Sequence, residues 1–70
     1  MNNSKKFIVN DQLYISNKPI TLKDLIIYFK YNPSLLVIEY NSSICNKEDW
    51  KNITISNDAK IEIVTIVGGG

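Results

Sequence analysis

The residues of this chain best placed to take part in a reaction are its last three, Gly68-Gly69-Gly70. Glycine has no side chain to bury and loses the most backbone entropy on ordering, so three of them at a chain end predict a mobile stem. Fully extended, the triplet reaches about 10 Å. That reach suits delivery of the Gly70 carboxylate through a narrow channel, where a Cβ at position 68 or 69 would strike the walls. Other chemistry is hard to assemble. The sequence has no histidine and one cysteine, Cys45, which removes Cys-His pairs, Ser-His-Asp triads, imidazole acid-base work and an internal disulfide. No metal site is expected, because a structural zinc site lacks ligands. The chain is therefore expected not to be an enzyme. Any chemistry is expected to sit at the tail or to belong to a partner.

A terminus of this kind needs a folded body behind it. Phe7-Ile8-Val9 and Leu13-Tyr14-Ile15 are short β-prone runs separated by Asn10-Asp11-Gln12, a hairpin signal. Alternation predicts that Phe7, Val9, Leu13 and Ile15 face the core, with Ile8 and Tyr14 facing away. Thr21-Leu22-Lys23-Asp24 reads as a capping box that opens a helix. Leu22, Leu25, Ile26 and Phe29 then form one apolar stripe, and Asn32-Pro33 is the expected stop. The unalternating run Leu35-Leu36-Val37-Ile38 predicts a central strand. Ile44-Cys45 reads as a short strand, Lys47 to Trp50 as an irregular helical turn with Trp50 as a lid on the core, and Ile53-Thr54-Ile55 as a short edge segment. Two opening strands, one helix and later strands predict an α+β fold, a mixed sheet of four to five strands with one main helix packed on one face. This is the β-grasp, or ubiquitin-like, order. Residues 1–67 form the expected domain and residues 68–70 its flexible glycine tail.

The last strand, Lys60 to Val67, carries a second signal. Ile61 and Ile63 share one face. If Glu62 faces solvent, period two places Val64 and Ile66 on the solvent side, just before the tail. Val64 and Ile66, with Val67, are the candidate residues for docking to a partner.

Composition narrows the partners. Hydrophobic residues are 44% and charged residues 21% of 70, too apolar for a disordered segment. The net charge of +1 comes from eight lysines scattered among seven acids, with no basic block to follow a phosphate backbone, so nucleic acid is not an expected partner. No apolar run approaches the ~20 residues that cross a bilayer, so no membrane is expected either. Abundant Ile, Asn, Lys and Tyr without Arg or His suggest an A/T-rich coding sequence, as in a plastid or a low-GC bacterium.

Nearly the whole chain resembles the ThiS family of sulfur carriers in thiamin biosynthesis, especially its plastid and cyanobacterial versions. The residues that carry the resemblance are Val9-Asn10-Asp11, Leu22-Lys23-Asp24-Leu25, Val37-Ile38-Glu39-Tyr40-Asn41, Trp50, and Ile61-Glu62-Ile63-Val64 leading to Gly68-Gly69-Gly70. The chain departs from the family at two turns. Asn41-Ser42 stands where Asn-Gly is usual, and Asn57-Asp58-Ala59 where Asp-Gly-Asp is usual. Each change loses a glycine, and the turns are expected to form at some cost in stability.

The resemblance implies that Gly70 is adenylated by a ThiF-like enzyme using ATP and Mg²⁺, and that sulfur from a persulfide donor, fed by a cysteine desulfurase, converts it to a thiocarboxylate. It also implies that the sulfur passes to thiazole synthase, ThiG. The carrier itself binds no cofactor, and the expected compartment is a plastid stroma or a bacterial cytoplasm. Within the fold, the alternatives are a MoaD-type carrier for molybdopterin and a ubiquitin-like modifier. From another class comes a β-grasp binding module with an inert tail. Cys45, within an apolar strand, reads as a small core residue in preference to a sulfur acceptor.

Overall fold

The computed structural model describes residues 4–66. Among them are five strands and one α-helix: β1 (Lys5–Val9), β2 (Gln12–Ser16), α1 (Leu22–Phe29), β3 (Leu36–Tyr40), β4 (Ser43–Cys45) and β5 (Lys60–Thr65). Short 3₁₀ helices, Pro33–Leu35 and Lys47–Asn52, precede β3 and follow β4. The sheet order is β2-β1-β5-β3-β4, with β1 and β5 parallel and the other neighbours antiparallel.

The first hairpin closes on two residues, not three. Asn10 and Asp11 both have positive φ, 49° and 68°, the conformation whose twist matches that of flanking strands. Val9 therefore lies opposite Gln12, and Phe7 opposite Tyr14. Directly paired residues share a face, so Tyr14 joins Phe7 on the core side, with their rings 6.2 Å apart. Leu13 and Ile15, expected in the core, are instead 61% and 67% exposed. Counting Gln12 as a turn residue had shifted the face of the whole strand.

The helix begins as expected. Asp24 donates its N–H to Thr21 Oγ1 at 3.1 Å, and Thr21 donates its N–H to Asp24 Oδ2 at 2.9 Å, completing the capping box. Its apolar stripe buries Leu22, Leu25 and Ile26. The end comes earlier than Asn32-Pro33: Lys30 turns left-handed (φ 59°) and its N–H caps the carbonyls of Ile26 and Ile27. Asn32 has a separate task, accepting the Ser34 N–H at 3.1 Å to start the next 3₁₀ turn.

Strand β3 is interior, but the middle of the sheet belongs to β5. The segment Ile53-Thr54-Ile55 is not a sheet edge. It pairs with the start of the helix through a single Thr21–Thr54 bridge, with Leu22 N–H to Ile53 O at 3.0 Å and Ile55 N–H to Ile20 O at 2.9 Å. Strand pairing in β5 ends at Thr65; the rest of its expected span reaches Ile66 and then Val67, which lies outside the described residues.

Between helix and sheet, Phe7, Val9, Leu25, Ile26, Ile38 and Ile61 form the centre of the core, which Trp50 closes. Trp50 Nε1 donates to Cys45 O at 3.3 Å, so the indole is buried without an unpaired donor. Cys45 lies directly opposite Ile38 and packs against the same core, the position expected of it.

Candidate functional site

The candidate site is assembled at the far end of β5. Both sides of the strand are paired at its start: Ile61 lies beside Val9 of β1 and opposite Tyr40 of β3. The two neighbours differ in how far they follow it. Strand β3 continues to the end, with Leu36 opposite Thr65 and Ile66 N–H donating to Leu35 O at 2.7 Å. Strand β1 turns away after Val9, and there Asn10 takes over. Its main-chain N–H donates to Ile61 O at 2.9 Å. Its side chain accepts from Ile63 N–H at 2.8 Å and donates to Ile63 O at 3.2 Å. One side-chain amide thus supplies both bonds of the missing next residue in the ladder.

The same device recurs at the beginning of β5. Asn41, on the β3–β4 turn, accepts Lys60 N–H at 2.8 Å through Oδ1 and donates its own N–H to Lys60 O at 2.8 Å. Asn57 accepts Lys6 N–H at 2.9 Å, and Asp58 N–H bonds Lys6 O at 2.6 Å. Two asparagines, Asn10 and Asn41, therefore bond the main chain of β5 itself, and Asn57 ties the turn before it to β1. Sequence reasoning took these residues for turn formers and missed their reach across the sheet. The separation from their partners, such as 53 residues from Asn10 to Ile63, leaves no local signal.

Val64 and Ile66 lie where the face switch predicts, 54% and 50% exposed, while Ile61 and Ile63 are buried. Val64 pairs directly with half-buried Val37, and Glu62 with Glu39. Ile44 lies opposite Glu39, and Ile8 beside Lys60 and opposite Leu13, so all of them line the outer face of the sheet, away from α1. This apolar face is wider than the sequence suggested, because Leu13 and Ile15 join it and Ile44 is exposed on it. Val67, Gly68, Gly69 and Gly70, and with them the expected domain boundary after residue 67, lie outside the described residues.

Among the described residues, no group of His, Cys, Asp and Glu is arranged to hold a metal ion. No helix among them is long and apolar enough to cross a membrane.

A mixed five-stranded sheet in this order, with one helix on one face and its middle strand running toward the chain's end, defines a β-grasp, ubiquitin-like domain. The family model "ThiS family" matches residues 2–70, and the chain belongs to the ThiS family, whose members are sulfur carriers of thiamin biosynthesis. Its relatives include the uncharacterized protein ycf40 of the alga Trieres chinensis, 58% identical over 67 residues, with 96% of this chain and 92% of the relative covered. The ycf40 protein of Porphyra purpurea is 32% identical over 62 residues, covering 89% and 87%. These relatives come from plastid genomes. Among solved structures, the crystal structure of the thiamine biosynthesis protein ThiS from Geobacter metallireducens superposes with a TM-score of 0.78 at 18% identity, covering 93% of this chain and 99% of that one. Its solution structure gives a TM-score of 0.75 at 18% identity, covering 93% and 87%. At that identity the likeness is one of fold.

Proposed function

We propose that this chain is a plastid-encoded sulfur carrier acting in the stroma, and that its reactive group is the Gly70 carboxylate. The observation that carries the reading is the family match, which spans residues 2–70 and so includes the terminal glycines. A carboxylate resists nucleophiles because its charge opposes attack. In the proposed cycle, an activating enzyme of ThiF type, using ATP and Mg²⁺, joins the carboxylate to AMP and releases pyrophosphate. The terminal sulfur of a persulfide, supplied through a cysteine desulfurase, displaces AMP, and a thiol cleaves the resulting acyl disulfide to leave the thiocarboxylate. A thiazole synthase of ThiG type then takes the sulfur. The carrier contributes position: a tethered reactant can reach an effective molarity of about 10⁵ M in favourable cases.

In this reading Gly68 and Gly69 form a stem slim enough for a partner's channel. Val64 and Ile66, with Val67 beyond them, seat the partner beside that stem. Exposed β-branched side chains at the last turn of the sheet support the assignment, because they add nothing to the core that α1 covers.

The test is the intact mass of the protein after incubation with a ThiF-type enzyme, ATP, Mg²⁺ and a persulfide donor. The expected result is a gain equal to one oxygen replaced by sulfur, abolished by removal of Gly70. An unchanged mass with an enzyme that is active on its own carrier overturns the proposal. Rescue of a thiamin-deficient mutant, and not of a molybdenum-cofactor-deficient one, separates this reading from a MoaD-type carrier.

A further inference from the structure

Strand β2 is the outer strand on its side of the sheet. Ile8 and Asn10 of β1 send their N–H groups toward the β5 side, to Ala59 O and Ile61 O, each at 2.9 Å. The alternation of an antiparallel ladder then turns Phe7 and Val9 toward β2, bonded to Tyr14 and Gln12. The N–H and C=O groups of Leu13 and Ile15 are left pointing to the open edge. Natural edges are blunted by lysine, proline or a bulge. The five residues of β2, Gln-Leu-Tyr-Ile-Ser, carry neither lysine nor proline and pair in unbroken register. The outer flank of the edge is apolar as well, with Leu13 and Ile15 exposed on it, and on the inner side a groove of about 660 Å³ between β2 and α1 is lined by Tyr14, Leu25, Ile27 and Tyr28 together with Lys18 and Asp24.

We propose that the β2 edge pairs with the β2 edge of a second copy of this chain, antiparallel about a two-fold axis at Tyr14, making one ten-stranded sheet. The strand's own sequence selects this occupant and this register. With the axis at Tyr14, Leu13 of each copy meets Ile15 of the other, and the open groups of both residues are used. Just outside the paired strands, Asp11 comes opposite Asn17 of the other copy with Lys18 the next residue along, so an acid of one copy lies close to a base of the other at each end. With the axis at Leu13, the Asp11 carboxylate would lie against Ile15. With the axis at Ile15, Leu13 would meet Asn17. Only the Tyr14 register leaves both Leu13 and Ile15 opposite an apolar residue. The two-fold axis is perpendicular to the sheet, so both helices stay on one side, both outer faces on the other, and the two β5 strands run in opposite directions.

A five-residue edge with its flanks falls in the small interface class, below about 1,200 Å² in total, the class of weak and transient encounters. Sedimentation equilibrium of the full chain over a concentration series that reaches about 1 mM, the range of weak association, is expected to show the average mass rising from the 8.0 kDa of one chain toward twice that value. Ile15→Lys places a charge on the edge. Ile15→Pro removes one outward N–H without touching the β1–β2 ladder, a substitution edge strands accept. Both variants are expected to stay monomeric over the whole range with an unchanged circular dichroism spectrum. A chain lacking residues 68–70 is expected to associate as the full chain does. A single 8.0 kDa species at the highest concentration overturns the proposal and gives the edge to an extended segment of a different protein. A dimer that survives both substitutions overturns it too, since association then uses another surface.

Discussion

The side-chain amide of Asn10 bonds both main-chain groups of Ile63, 53 residues away, and stands in for the residue that β1 lacks after it turns. The same residue occupies a positive φ of 49° in the β1–β2 turn, a conformation that asparagine tolerates better than most residues. One position thus sets the hairpin register and holds the far end of β5.

The two tasks are separable by substitution. Asn10→Gly keeps the freedom to take positive φ but leaves the N–H and C=O of Ile63 without their partner. A loss of about 1–3 kcal/mol is expected, as for a pair of buried groups deprived of hydrogen bonds. Asn10→Ala adds the left-handed penalty, about 1 kcal/mol more. Urea denaturation of the two variants measures both. Equal stability of Asn10→Gly and the parent protein would show that the Ile63 bonds contribute nothing.

The turns that lack glycine are a second place where stability is open to change. Ser42 has φ 74° and Asp58 has φ 66°, two left-handed turn positions filled by residues that carry a Cβ. Ser42→Gly is expected to stabilise by about 1 kcal/mol, the cost of holding an ordinary residue left-handed. Asp58→Gly should gain less, because aspartate visits that region more readily. The thermal midpoints of both variants check the order, and a fall in either midpoint contradicts it.

Docking is tested on the exposed end of β5. Val64→Asp and Ile66→Asp are each expected to weaken binding to the activating enzyme tenfold or more, about 1.4 kcal/mol. The cost to the fold should stay within about 1 kcal/mol, the span of strand preferences. Isothermal titration and thermal unfolding on the same samples provide both numbers. A variant that unfolds early with unchanged binding assigns its side chain to the core.

Much of the body was legible locally. The capping box at Thr21 and Asp24, the stripe of Leu22, Leu25 and Ile26, and the burial of Trp50 each follow from spacing within a few residues, and the structure shows them so. The face switch after Ile63 was legible for the same reason, since period two is a local rule. What failed was register. Treating Gln12 as part of the turn misplaced Leu13 and Ile15, because a two-residue and a three-residue loop differ by one position and therefore by a whole face. The stop of α1 was missed because Lys30 takes a left-handed conformation without the glycine that usually signals one. Strand order was hidden as well. The unalternating run at Leu36 marks an interior strand, but β5 rather than β3 is the middle one, since two pairings from distant parts of the chain decide its place.

The placement of β5 has a mechanical consequence. A pull on the chain beyond Ile66 is transmitted along a strand held by parallel β1 on one side and antiparallel β3 on the other. The load falls in shear on hydrogen bonds to both neighbours at once, where an edge strand under the same pull would share it with one neighbour only. Asn10 and Asn41 add their amides to the rows that share it. A force arriving at the end of β5 is thus spread over the sheet on both sides of the strand.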